Sequence, residues 1–310
     1  MVLASRVLAA AGSGVELPVV DVITSINNSY VKHCMKLRTS SSYRQEMGSV
    51  LVVGITPILE VTGNGGDIHT QVLFLLDDTE VPEGVQADRV VRVSEPVMRK
   101  LSGMDSVQGL QAVAQVEMPY VADFTDKASH APGILERLLA LDGLQDPGNL
   151  GTLLRTALAL GWQGVFLLPG CCDPFNEKAM RAGRGAAFRV PIQVGDWDDL
   201  LRVTRQHGLR CLAAQPHPAT SGQNDPADSH SPAPNSWELA GPAARRKTCL
   251  VLGSEGQGLS CRSRELCDPI TIPMPGSMES LNVSQAGAIL MFMLSQGLPT
   301  MLSDLYGPRK

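Results

Sequence analysis

The chain is poor in aromatic residues, has no C-x-x-C pair, and holds no apolar stretch long enough for a bilayer. Each absence closes off a class. Phe, Trp and Tyr together make up 4% of the residues, and none are spaced to stack successive bases, so single-strand base stacking has no signature here. The seven cysteines include an adjacent pair, Cys171-Cys172, but show no zinc spacing. An odd count suits a disulfide framework poorly, so the thiols read as reduced and mostly structural. The longest apolar run, near the C-terminus, falls short of the roughly 20 residues of a membrane helix. Basic charge is not in excess either, with 26 Lys and Arg against 31 Asp and Glu, a net −5. That balance argues against indiscriminate nucleic-acid binding and leaves room for a local basic patch.

What is present suits one or two α/β domains in 310 residues. The first fifteen residues lack acids and carry one arginine. That composition fits both an organelle transit peptide and a short disordered start. Mitochondrion, chloroplast and cytoplasm all stay open as locations. Residues 1–20 are therefore set apart as a flexible start or partial transit peptide.

Residues 21–120 read as a small α/β domain. Ile23 to Arg38 turns helical after Asn27 or Asn28. Ser49–Val53, Gln71–Leu76, Arg89–Val93 and Gln111–Glu117 are short, β-branched runs that predict strands. Thr56–Val61 and Glu95–Leu101 predict helices, and Gly63-Asn64-Gly65-Gly66 a turn. Lys32, Lys36, Arg38 and Arg44 present positive charge suited to phosphate. A plain solvated helix face has the same pattern.

Residues 121–133 are a linker by composition, and residues 134–310 form the second domain. Strands at Leu138–Leu141, Val165–Leu168, Leu209–Ala213 and Thr248–Leu252 alternate with helices, which predicts a mainly parallel sheet. Asn149 is expected to cap a helix that ends at Gly161, with Leu150, Leu153, Leu154, Ala157 and Leu158 on one face. Residues 216–247 are rich in Pro, Ser and Asp and read as a flexible insertion, its His217 and His230 solvated.

Three stretches carry the chemistry. D-P-G-N-L-G-T-L-L-R-T-A spans Asp146 to Ala157, and L-V-L-G-S-E-G-Q-G-L-S spans Leu250 to Ser260. The third runs from Ile272 to Leu294, where Ser280-Leu281-Asn282 precedes an uncharged helix that is apolar on every face. Such a helix has to be covered, by a core or by a partner. Arg155 is the one charge on its helix, and a planar guanidinium matches phosphate geometry. The glycines of Gly253-Ser254-Glu255-Gly256-Gln257-Gly258 admit close backbone approach, but the spacing fails the G-x-G-x-x-G dinucleotide pattern.

Together the three stretches resemble the motifs of the SpoU/TrmH family of SPOUT-class RNA 2'-O-ribose methyltransferases, over about Leu138 to Leu294. The resemblance implies a trefoil-knotted C-terminal methyltransferase domain. It also implies that the N-terminal α/β domain binds RNA, in a fold similar to ribosomal proteins that bind kinked RNA. It implies S-adenosyl-L-methionine as donor, cradled near Gly253, Ile272 and Leu281, with Arg155, Asn149, Glu255, Ser280 and Asn282 as the catalytic set. An arginine essentially never deprotonates, so Arg155 is assigned an electrostatic role at the 2'-hydroxyl rather than that of a free base.

The stretch Asp173 to Ile192 fits the family as well, placing Asn176, Lys178, Arg181 and Arg184 near incoming RNA. Gly183 stands where the family commonly has a serine. The apolar helix and the first motif resemble the family's homodimer interface. The expected substrate is rRNA. The alternatives are tRNA, or a non-catalytic ribosome-assembly factor of the same fold.

Overall fold

The computed structural model describes residues 20–62, 68–77, 79–126, 135–215, 247–256, 258–274, 276–278 and 280–295. The glycine turn at 63–66, His217, His230 and the expected leader up to residue 19 lie outside the described residues.

Contacts divide the chain into two units: Met1–Tyr120 with Asp173–Arg189, and Val121–Cys172 with Val190–Lys310. Asp173–Arg189, read from the sequence as part of the second domain, thus clusters with the first unit.

The first unit is a five-stranded sheet in the order β1-β4-β3-β5-β2, built from β1 (Val20–Ile23), β2 (Ser49–Val53), β3 (Thr70–Leu76), β4 (Arg89–Val93) and β5 (Ala112–Glu117). β1, β4 and β3 run parallel, and β5 runs antiparallel to both β3 and β2. Helices α1 (Ser29–Thr39), α2 (Ser41–Met47), α3 (Ile55–Thr62), α4 (Glu95–Ser102) and α6 (Glu177–Gly183) complete it. Asn28 starts α1 by accepting from the Tyr30 amide, and Val31, Cys34 and Leu37 turn inward onto Phe74, Val91 and Val113.

Arg44 does not face solvent as expected. The residue is 3% exposed. It donates to the carbonyls of Leu37 at 2.6 Å and Arg38 at 3.1 Å and is ion-paired with Asp173. The reason is local, because the last carbonyls of α1 lack helical partners and α2 brings a guanidinium to them.

The second unit is a six-stranded sheet in the order β11-β9-β10-β6-β7-β8, with every neighbouring pair parallel. Its strands are β6 (Arg137–Asp142), β7 (Gly164–Leu167), β8 (Ile192–Val194), β9 (Arg210–Ala214), β10 (Thr248–Gly253) and β11 (Asp268–Ile270). Its helices are α5 (Pro147–Ala159), α7 (Trp197–His207), α8 (Cys261–Leu266) and α9 (Val283–Ser295). Leu138, Leu139, Ala140 and Leu141 are fully buried, as strands covered on both faces must be.

The first turn of α5 corrects the expected cap. Asp146 is the N-cap, its carboxylate accepting from the Asn149 amide at 2.9 Å, and Pro147 opens the helix. Proline is favoured at that first position because its missing N–H would be unpaired there anyway. The Asn149 side chain is thereby released from capping.

Helix α9 lies on α5 and on β10, where Gly287 permits the approach: a Cβ there would come within 2.5 Å of Leu153 Cδ2 and 2.7 Å of Leu252 Cδ1. Leu290, Met291 and Leu294 fill this face, and Trp162 Nε1 donates to Ser295 Oγ at 2.9 Å. The opposite face is open, with Ile289 39% and Phe292 50% exposed. Among the described residues no helix is long and apolar enough to cross a membrane.

Candidate functional site

A cavity of about 730 Å³ opens in the second unit where β9, β10 and β11 end. Carboxyl ends of parallel strands are where such sheets hold ligands, and the volume suits a nucleoside-sized molecule. Gly253, Ile272 and Leu281, the three expected donor contacts, all line it, together with Glu255, Ser280 and Asn282.

The three motifs meet at one carboxylate. Glu255 Oε1 accepts from Asn149 Nδ2 and, at 3.1 Å, from Asn282 Nδ2. Asn282 is held from its other side, where its Oδ1 accepts from the Ser284 amide at 2.8 Å and the Ser284 hydroxyl at 2.6 Å. It therefore caps α9 with one end of its amide and grips Glu255 with the other. Ser280 does not share the capping; it is exposed and faces the cavity. The released amide of Asn149 supplies the link from the first motif.

Gly253 has a steric reason to be glycine. The loop after β10 folds back through paired backbone bonds between Ser254 and Gly258, 3.0 and 2.9 Å long. A Cβ on Gly253 would overlap the Gly258 carbonyl and lie 2.7 Å from the Leu259 nitrogen. The loop is further anchored by Asp142, 8% exposed, which accepts from the Ser260 amide at 3.2 Å and from the Ser263 hydroxyl.

Arg155 is outside the cavity lining. It stands on the exposed face of α5, its side chain with no ion pair or hydrogen bond among the described residues. Leu150, Leu153, Leu154 and Ala157 form the buried face opposite, with Leu158 only partly buried.

The expected RNA contacts of the first unit divide into two groups. Lys32 is exposed, and the exposed Lys36 ammonium sits 5.4 Å from the Tyr43 ring centroid. Lys178 is exposed on α6, whose N-cap is Asn176. Arg38 is 4.0 Å from Glu177, Arg181 is paired with the same carboxylate, and Arg184 is 2.5 Å from Glu60. Arg44 is buried and committed to Asp173.

The residues that sequence reasoning passed over are Gln215 and Arg264, both lining the cavity. Gln215 borders the residues 216–246 that lie outside the described set, and Arg264 belongs to none of the three motifs.

The model of the SpoU rRNA methylase family matches residues 136–292. An uncharacterised tRNA/rRNA methyltransferase of Synechocystis is 32% identical over 87% of this chain and 92% of its own length. The 23S rRNA (guanosine(2553)-2'-O)-methyltransferase RlmP of Bacillus subtilis is 28% identical over 88% of this chain and 98% of its own. The AdoMet-bound rRNA methyltransferase structure from Sinorhizobium meliloti superposes with a TM-score of 0.67 at 26% identity, covering 89% of this chain and 97% of that one.

Proposed function

The chain belongs to the SpoU rRNA methylase family, and on that premise we propose how its site works. The protein is an S-adenosyl-L-methionine-dependent RNA 2'-O-ribose methyltransferase, and rRNA is its main substrate reading. One observation carries the assignment of the site: residues from three separate motifs converge on Glu255 at the rim of a glycine-walled cavity.

The donor supplies an electrophilic methyl group on a sulfonium. Its adenosine suits the Gly253 backbone and the apolar side chains of Ile272 and Leu281, which leave no strongly polar surface beneath a flat base. Asn149 and Asn282 fix the Glu255 carboxylate, and Ser280 offers a hydroxyl to the ribose.

Arg155, unpaired and exposed, grips the phosphate beside the target nucleotide and stabilises charge growing on the 2'-oxygen. Bringing nucleophile and methyl group together in this way is itself worth several powers of ten in rate, about 7 kcal/mol or more in well-oriented cases.

Three finer readings accompany this. The all-parallel sheet with the cavity at its strand ends supports the trefoil-knotted form of the domain. The apolar face of α9 supports a homodimer through α9 and α5. Lys32, Lys36 and Lys178 support RNA binding by the first unit.

The test is transfer of labelled methyl groups from S-adenosylmethionine to RNA that lacks this protein's modification, followed by mapping of ribose-methylated positions. A single 2'-O-methyl site in rRNA is expected. Donor binding without transfer to rRNA, free or in assembling subunits, favours the non-catalytic assembly factor. A site in tRNA moves the substrate.

A further inference from the structure

Among the described residues, two charges of opposite sign line the cavity, Glu255 and Arg264. Glu255 is already occupied by two amide donors. The Arg264 side chain has no ion pair or hydrogen bond among the described residues. Its neighbours in chain and space are engaged: Arg262 on the same helix pairs with Asp198 at 3.2 Å, and Arg210 pairs with Asp268 at 2.7 Å. An unpaired guanidinium on the wall of a ligand-sized cavity has five donors to offer an anion and no basic competitor among the described lining residues.

We propose that Arg264 is the donor's carboxylate receptor. This rests on S-adenosylmethionine being the donor. That molecule is neutral at its adenosine end and carries one anionic group, the α-carboxylate of its amino-acid end. The apolar and glycine-backbone walls answer the first end, and Arg264 answers the second through charge-assisted, fork-shaped hydrogen bonds.

The same arrangement sets direction. A sulfonium is repelled by a guanidinium and attracted by a carboxylate. With the carboxylate held at Arg264, the sulfonium favours the Glu255 side, where Asn282 and Ser280 stand. Arg264 is then a binding and orienting residue, and it takes no part in proton movement.

Isothermal titration of the full chain with S-adenosylmethionine and with its decarboxylated analogue tests this. Wild type is expected to prefer the carboxylated donor by about tenfold, the scale of one charge-assisted pair at a partly open site. Arg264→Gln is expected to erase that preference while leaving decarboxylated-donor affinity unchanged or higher, because that wholly cationic ligand loses a like charge beside it. Arg264→Lys should retain part of the preference, because the charge remains and the fork is lost.

A preference that survives in Arg264→Gln, an equal loss for both ligands, or no preference in wild type each overturns the assignment. Wild type that binds neither ligand removes the donor reading itself.

Discussion

At the scale of single residues, Arg155 and Gly253 make opposite predictions. Arg155 lies outside the cavity lining, so Arg155→Ala should leave donor affinity within a few-fold. Its single-turnover methyl transfer should fall by about a hundredfold or more, the cost of removing a preorganised charge from a transition state. Full activity of that variant would remove the role assigned here. Gly253→Ala should do the reverse first. The added Cβ meets backbone at Gly258 and Leu259, which cannot rotate away as a side chain would. The loop must shift, and donor affinity measured by calorimetry should drop by about tenfold or more, one lost hydrogen bond or its equivalent.

The legibility of individual residues followed from how local their partners are. The start of α1 was readable to within a residue, after Asn27 or Asn28, because the cap at Asn28 bonds only two residues ahead. Asn149 was read as a cap, although the Asp-Pro pair before it holds the better signal; its true partner, Glu255, is 106 positions away. The burial of Arg44 had no sequence signal at all, since Asp173 lies 129 positions on.

At the scale of elements, the contact between α9 and α5 depends on Gly287. Gly287→Val should push Leu153 and Leu252 aside and destabilise the fold by about 1–3 kcal/mol, read as a lower urea midpoint. Helix α1 carries a pH effect. Burial, opposed by a Gln115 hydrogen bond and aided by nearby Lys36, holds His33 below its ordinary pKa. The unfolded chain therefore takes up a proton that the folded one resists, and stability falls as the pH drops through and below the ordinary histidine value of 6.5. Urea midpoints at neutral and mildly acidic pH should show that loss in wild type, and His33→Gln should lose less over the same interval.

Long elements were legible from periodicity: α1, α4, the strands β2 to β5, and the alternation from β6 onward. β8 and β11, three residues each, are too short for any period to show. They exist because parallel neighbours offer them hydrogen bonds. The uncharged sequence of α9 demanded cover, yet the described residues cover only one face of it, since periodicity does not say which face the rest of the fold will take.

At the scale of the whole molecule, that open face makes the last prediction. Phe292→Glu places a charge on a half-exposed apolar surface of α9. If two copies pair through it, sedimentation should show a monomer, and methyl transfer should fall with it; an unchanged dimer that keeps its activity would count against this interface. The parallel sheet was expected from the alternation of strands and helices, and the family and the residues lining the cavity from three short motifs, because glycine, proline and asparagine patterns record backbone constraints directly. The assignment of Asp173–Arg189 to the first unit was not, for contacts between distant stretches leave no local trace.

That excursion has a consequence for synthesis. The chain completes its first unit only with Asp173–Arg189, after the whole of Val121–Cys172 has been made. A nascent chain ending at Tyr120 still lacks Asp173, so the Arg44 guanidinium, buried in the finished protein, waits without its counter-ion. At ordinary elongation rates that wait lasts roughly ten seconds or less. The first unit therefore cannot be completed in strict N-to-C order: the carboxylate that pairs with Arg44 arrives only after part of the second unit has been made.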